Sequence, residues 1–292
     1  MVDLHTHSNA SDGDLSPELL IQEAVKLGLC AIALTDHDTI NGLCNAIKAA
    51  QKMQIQLIPG IEININWKAE KALANITDTG YGGEFHLLGL GIHKPSPAFK
   101  DSINKLAKIR DTRNHEILEK MNKTGIKTVW EDISSLSGGN SIGRMHFARL
   151  LIKLKIVKNM SQAFERYLSP GKPLFVPKEC LMFEEAAALI LESGGIPILA
   201  HPGSLYVSWG RLPDLIKALK NRGLAGLEAW HPAAKPGYCK RLEELGKKMG
   251  LYVTEGSDFH GFIRPERKLG FSNKNRKIND EILENIPMLS AK

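Results

Sequence analysis

Ligand-type side chains in this chain fall where short apolar runs begin or end. His5-Thr6-His7 follows the run starting at Val2, with Asp12 in the loop beyond, and Asp36-His37-Asp38 closes the run starting at Cys30. Glu62 lies inside the alternating run 56–65, and His86 sits near the start of the next. His201-Pro202, His231-Pro232 and Asp258-Phe259-His260 close three more. Six of the ten histidines are the ligand candidates among them: His5, His7, His37, His86, His201 and His260. Imidazole with carboxylate suits Zn²⁺, Mn²⁺ and Fe²⁺, and the absence of thiolate disfavours soft-metal sites. Side chains alternate along an extended strand, so His5 and His7 present both rings to one face. Six imidazoles and at least three carboxylates exceed the needs of one ion, which predicts two or three divalent ions with a carboxylate bridging. Two such ions about 3.5–4 Å apart hold the attacking and leaving oxygens of an in-line phosphoryl displacement and lower the pKa of a water between them. The residue types point to phosphoester hydrolysis.

These side chains need a scaffold that gathers strand ends. Runs at 2–5, 30–35, 56–65, 85–92, 196–200, 225–230 and 251–255 read as seven strands. Ser16-Pro17 sets an N-cap before a proline at the first helical position, and Gly28 closes that helix. Further helices are predicted from near Thr39 and over 183–193, 213–221 and 236–249. Strands alternating with helices indicate a parallel α/β barrel or a doubly wound sheet. In barrels the loops after the strands converge on one face, where active sites are built.

The middle of the chain breaks this alternation. From Pro97 to about Leu168 the apolar period is helical, with Ile103, Leu106, Ile109, Ile117 and Met121 recurring at three or four. Gly138-Gly139 interrupts it and a second helix covers about 142–154. Between Ser96 and Lys178 stand 16 Lys and Arg against 7 Asp and Glu, although the whole chain is only +6. The expected organisation is a barrel built from 1–95 and 179–292, with a basic helical insert over 96–178 covering the active site. A basic segment beside an acidic body suits an anionic ligand such as a nucleotide or nucleic acid.

Composition narrows the class. The chain has 292 residues, 43% hydrophobic and 24% charged, which is ordinary globular usage and excludes disordered and fibrous classes. No apolar run approaches the roughly 18 residues of a membrane span. Met1-Val2-Asp3 has an acid where a signal peptide carries Lys or Arg. Cys30, Cys44, Cys180 and Cys239 form no C-x-x-C pair, which fits a reducing cytoplasm. A soluble, unexported protein is expected.

Asp3-Leu4-His5-Thr6-His7-Ser8, Leu34-Thr35-Asp36-His37, Gly60-Ile61-Glu62, Ala200-His201-Pro202 and Gly256-Ser257-Asp258-Phe259-His260 resemble, in order and spacing, the motifs of the PHP (polymerase and histidinol phosphatase) family. The helical insert and Gly171-Lys172-Pro173 resemble the subfamily of nucleoside 3′,5′-bisphosphate phosphatases and short-RNA 5′ exonucleases. Met145 departs from the proline common there. The resemblance implies a distorted (β/α)7 barrel with up to three metals. His5, His7, Glu62 and Asp258 would hold the first, and Asp12, His37 and His260 the second. His86 and His201 would hold the third, with Glu62 bridging to the first. Asp36 would orient a metal-bound imidazole.

Gly143-Arg144-Met145-His146 stands at a predicted helix start, where free N–H groups and a guanidinium make a phosphate site. Arg144, which would also offset charge on the reacting phosphate, His146 and Lys172 are therefore substrate-binding candidates. His231 is a candidate proton donor to the leaving group. Tyr206 or Trp209 is placed to stack on a base, and the long loop 67–83 to act as a lid. The leading expectation is a metal-dependent phosphatase of AMP or nucleoside 3′,5′-bisphosphates. A 5′-3′ exonuclease on short 5′-phosphorylated RNA uses the same metals. Histidinol-phosphate phosphatase gives no reason for the basic insert, and a non-catalytic nucleic-acid-binding module predicts missing ligands, whereas every matched position is occupied. Oligomeric state is not written in these patterns.

Overall fold

The computed structural model describes residues 1–68, 70, 83–137, 142–273 and 275–289. Seven strands lie in chain order in one sheet: β1 (Val2–Asp3), β2 (Ala31–Leu34), β3 (Gln56–Asn64), β4 (His86–Leu90), β5 (Ile196–Leu199), β6 (Gly226–Trp230) and β7 (Tyr252–Glu255). Beyond β1 and β7, Thr6 bridges Phe259, and His7 N–H donates to Phe259 O at 2.9 Å. The sheet thus curls into a nearly closed barrel, the distorted (β/α)7 architecture expected.

β2 shows how the local sequence produces this layering. All four residues of Ala-Ile-Ala-Leu are buried, as in strands covered on both faces. Ala31 and Ala33 join the cluster containing Val2, Ile58, Leu88 and Ile198. Ile32 and Leu34, one residue out of phase, join Leu20, Ile21, Ala24 and Ala46 of the flanking helices. Pro17–Lys26 forms the first of these. Ser16 accepts from Leu19 N–H, which contributes about 1 kcal/mol, Pro17 supplies the first turn, and Gly28 closes it at φ 77°. Truncating Leu34 to alanine would cost about 2–5 kcal/mol.

Three features depart from the sequence reading. β4 runs antiparallel to both neighbours, with Asn64 opposite His86. Its first residue therefore reaches the barrel end where the other strands finish, which is why His86 begins a strand while its counterparts end one. The helix expected from Thr39 starts at Leu43, because His37 still bridges Glu62 and Asp38 takes a left-handed φ of 49°. Ile278, Ile282, Ile286 and Leu289, spaced as on a helix, join the barrel core. They meet Val2, Leu90 and Ile196, at the end opposite the ligand-bearing residues.

The chain divides into two units, residues 1–101 with 180–292, and residues 102–179. The second has its own core, built from Ile117, Met121, Phe147, Leu150, Leu151 and Leu168 among others. Its helices include most of Pro97–Lys123 and all of Trp130–Ser137 and Arg144–Lys153. Asn114 Nδ2 donates to Ile142 O and Arg113 Nε to Val176 O. The glycine break at 138–139 and most of the proposed lid (69 and 71–82) lie outside the described residues.

Candidate metal centre

Glu62, fully buried on β3, is the hub. Its Oε1 lies 2.9 Å from both His86 Nδ1 and His201 Nε2. Its Oε2 lies 2.9 Å from His37 Nδ1, 3.3 Å from His7 Nε2 and 3.4 Å from His5 Nε2. Asp258 Oδ1 faces His7 Nε2 at 3.2 Å, His260 Nδ1 at 3.4 Å and His5 Nε2 at 3.6 Å. Asp12 Oδ1 lies 3.3 Å from His260 Nε2. All nine residues expected as ligands thus meet in one network.

Among the described residues the ligand atoms fall into four overlapping groups, with Asp12, His37 and His260 together in one and His5, His7 and Asp258 in another. The first also holds His7; His5, Glu62 and His201 form a third and His37, Glu62 and His86 a fourth. Within each group the ligand atoms lie within 4.8 Å of one another. Because the groups share members, a ligand's neighbours are fixed by the barrel rather than by its motif.

The donor set fits divalent cations. His5 Nε2 and His7 Nε2 face each other at 3.1 Å. Glu62 Oε2, His7 Nδ1 and His260 Nε2 are buried without a hydrogen-bond partner among the described residues, although ring nitrogens or carboxylate oxygens stand nearby. Buried polar atoms are normally satisfied, so lone pairs aimed at common points call for a shared ion. Burial, then the neighbouring His260 and His37, pulls the His7 pKa down to about 4, leaving it neutral as a ligand must be. Burial pushes Glu62 towards protonation, but His37, His86 and His5 outweigh it and hold the carboxyl well below its usual range.

Three supporting residues escaped the sequence reading. Glu228 on β6 is buried; its Oε1 takes His5 Nδ1 at 3.0 Å and its Oε2 accepts from His201 N–H at 2.8 Å. That second bond steadies a residue in a sparsely populated backbone conformation, His201 at φ 27°. The available signal was a lone charge in the apolar run Gly-Leu-Glu-Ala-Trp. Arg267 pairs with Asp258 Oδ2, leaving Oδ1 to His5, His7 and His260; nothing in its irregular loop marks it. Asp3 accepts from the N–H groups of His5, Ser257 and Gly270, tying β1 to the loop after β7. Gly256 is required by close approach: a Cβ there would stand 2.3 Å from His5 Cβ and 2.5 Å from Glu228 Oε1.

Asp36 needs correcting. Its carboxylate accepts from Ser8 N–H, Ser8 Oγ and Ser11 Oγ, so it braces the loop that carries Asp12 instead of orienting an imidazole. His231 is buried, and its Nδ1 accepts from Ala233 N–H at 3.2 Å. The proton therefore sits on Nε2, 3.1 Å from Asp258 Oδ2. Arg144, His146 and Lys172 belong to the second unit. The Arg144 guanidinium stands 5.7 Å from the centroid of the Phe164 ring, and His146 is buried with Nδ1 accepting from Gly143 N–H. Trp67 is core, edge-on to Phe85. Trp209 packs against Tyr238 and Arg241, while Tyr206 is 65% exposed.

Above the hub opens a cavity of about 570 Å³, within the range of small-ligand sites. His37, Glu62, His86, His201, His231 and His260 line its floor; Tyr206, Lys235, Tyr238, Arg264 and Arg267 line its walls.

The chain is similar to known proteins. The PHP domain family matches residues 3–172. A 5′-3′ exoribonuclease from Haemophilus influenzae is 35% identical over 258 residues, 88% of this chain and 89% of its own length. A 3′,5′-nucleoside bisphosphate phosphatase from Chromobacterium violaceum is 30% identical over 260 residues, 89% of this chain and 87% of its own. A crystal structure from Bifidobacterium adolescentis, described as a candidate metal-dependent phosphoesterase, aligns over 100% of this chain and 96% of its own, with a TM-score of 0.82 and 26% identity. The family match takes in more than half of the chain and runs through His5, His7, Asp12, His37, Glu62 and His86, so the chain belongs to the PHP domain family and is a hydrolase of phosphoric esters built around divalent metal.

Proposed function

We propose that the protein releases phosphate from nucleotides, either AMP or nucleoside 3′,5′-bisphosphates, using two to three divalent ions drawn from Mn²⁺, Fe²⁺ and Zn²⁺. The observation that carries this reading is one buried carboxylate, Glu62, met by five imidazoles beneath a cavity of about 570 Å³. Held by His5, His7, Asp12, His37, Glu62, His86, His201, Asp258 and His260, the ions would activate a water and offset phosphoryl charge.

The chain's own groups do the positioning. Glu228 aims His5, and Arg267 fixes which oxygen of Asp258 faces His5, His7 and His260. His231 holds a proton at Nε2 and serves the leaving oxygen. Asp36 acts through the Ser8–Ser11 loop. Arg144, His146 and Lys172 bind phosphate oxygens and Arg144 offsets charge in the transition state, a role supported by residue type and the positive charge of their segment. The cytoplasm is the proposed compartment: none of the four cysteines forms a disulfide among the described residues, and no helix among them is long and apolar enough to cross a membrane.

A second reading is trimming of short 5′-phosphorylated RNA, favoured by the identity to a 5′-3′ exoribonuclease. One experiment separates the readings. Mn²⁺-loaded protein is offered AMP, adenosine 3′,5′-bisphosphate, histidinol phosphate and a 5′-phosphorylated RNA oligomer, with an EDTA-treated control. Chelator-sensitive release from the nucleotides supports the first reading and oligomer shortening the second. Turnover of histidinol phosphate alone refutes both, and no turnover with any metal leaves only a binding module.

A further inference from the structure

His201 is held at three points. Its main-chain N–H meets Glu228, and its Nε2 faces Glu62 Oε1 at 2.9 Å. The third lies on the far side of the ring. Nδ1 stands 2.9 Å from Ser204 Oγ, and that hydroxyl donates to Glu84 O at 2.8 Å. A carbonyl only accepts, so the single hydroxyl proton of Ser204 is committed to Glu84 and its oxygen is left to accept from the imidazole. The contact therefore places a proton on His201 Nδ1 and turns Nε2 over to an ion, the arrangement in which the second ring nitrogen of a metal-bound histidine donates to an oxygen. It also stops the ring from turning over, because a half-turn about Cβ–Cγ would put carbon where both nitrogens now stand. His5 and His260 follow the same plan: their Nδ1 atoms lie 3.0 Å from Glu228 Oε1 and 2.7 Å from Asp258 O, while each Nε2 faces a carboxylate of the network.

The same serine reaches the segment that leads into His86. Glu84 N–H donates to Ser204 O at 2.9 Å and Ser204 Oγ donates back to Glu84 O, so the two residues exchange a pair of hydrogen bonds. Gly83 permits the approach: a Cβ there would stand 2.5 Å from Leu205 O and 2.7 Å from Ser204 O. Ala200 N–H donates to His86 O at 3.1 Å just before the turn. The turn Pro202–Leu205 is bounded by His201 at φ 27° and Tyr206 at φ 51°, conformations that persist only where the surroundings enforce them. Ser204 thus joins the two histidines whose nitrogens flank Glu62 Oε1, each at 2.9 Å.

We infer that Ser204 is a positioning residue of the metal centre. It holds His201 with Nε2 towards Glu62 Oε1 and locks the turn after His201 to the segment before His86. It thereby sets how tightly an ion is held on that side of Glu62 without touching the ion. The inference rests on the proposed ligand set, in which His86 and His201 serve the same ion. Glu62 Oε2 faces His5, His7 and His37 instead, so ions on that side keep their ligands when Ser204 is changed.

The test titrates Mn²⁺ into the metal-free full chain by calorimetry, comparing the wild type with S204A and S204T, each checked by thermal melting. The expected result is one binding step weakened about tenfold in S204A, the low end for a group that orients a metal-bound imidazole, because Ser204 lines the open cavity and supplies a neutral hydroxyl. The other steps keep their affinity, and S204T, which retains the hydroxyl, binds as the wild type does. A second readout follows the ring. In Zn²⁺-loaded protein labelled with ¹⁵N-histidine, and with His201 assigned from an H201N sample, the wild-type ring carries its proton on Nδ1, protected from solvent exchange; S204A loses that protection. Unchanged affinity in S204A, equal weakening of every step, or equal weakening in S204A and S204T overturns the inference. So does a His201 proton on Nε2, or equal protection in wild type and S204A. A wild type that binds no Mn²⁺ refutes the metal reading and the inference with it, whereas tight binding indifferent to Ser204 refutes the inference alone.

Discussion

Replacing Glu228 tests whether a residue that the ions would not touch governs how tightly they are held. One oxygen takes His5 Nδ1 at 3.0 Å and the other accepts from His201 N–H at 2.8 Å, with Glu228 and His5 buried and His201 partly buried. Glu228→Ala leaves the buried His5 donor without an acceptor, at a cost of about 1–3 kcal/mol, and frees the partly buried His201 N–H from the bond that steadies its φ of 27°. Carboxylates that orient metal-bound imidazoles are worth about 10- to 100-fold in metal affinity. Glu228→Ala should fall at the upper end, because His5 and His201 are both released. Glu228→Gln should lose about tenfold: its amide oxygen can serve one donor while its NH₂ group opposes the other. Mn²⁺ titration calorimetry on metal-free protein, with metal content after dialysis by plasma mass spectrometry, reads the affinity. A melting curve separates this from loss of fold. Wild-type Mn²⁺ affinity in a Glu228→Ala protein that merely melts lower would refute the reasoning and make Glu228 a packing residue.

Three further outcomes follow from the same geometry. Gly256→Ala places a methyl 2.3 Å from His5 Cβ, so it should cost about 1–3 kcal/mol and reduce bound metal, seen by melting and metal analysis; a wild-type protein would contradict the packing. Burial opposes protonation of His5, but Glu228, Glu62 and Asp258 outweigh it and raise its pKa well above the usual imidazole value. Asp12 and Asp258 likewise raise His260 against burial. Ion binding must expel these protons, so affinity should rise about tenfold per pH unit for each proton released, measurable by calorimetry in buffers of different ionisation enthalpy; binding without proton release would be inconsistent with this. Chelation should lower the melting midpoint, since ions at about 100 times their Kd stabilise the folded site by about 2.7 kcal/mol, and an unchanged midpoint would argue against metal in the network.

Much of the centre is legible in residue order alone. Ligand chemistry belongs to the residue type, and strand ends are marked by where apolar runs stop, so His5, His7, His37, His201 and His260 identify themselves without coordinates. Helix Pro17–Lys26 is equally local: serine, proline and glycine act on their nearest neighbours. Asp36 looked the same in sequence as the true members of the network, yet its three hydrogen bonds go to serines of the neighbouring loop. The direction of β4 was hidden because a strand's pattern reads the same both ways, and only pairing with β3 and β5 sets it. Glu228 is 223 residues from His5, and the pairing of Arg267 with Asp258 comes from a turn without a local pattern. Type and spacing specify which atoms can bind an ion, because those are properties of single residues and their neighbours. Which oxygen meets which nitrogen depends on closing the barrel, since only closure brings β1, β3, β6 and the loop after β7 within hydrogen-bond reach.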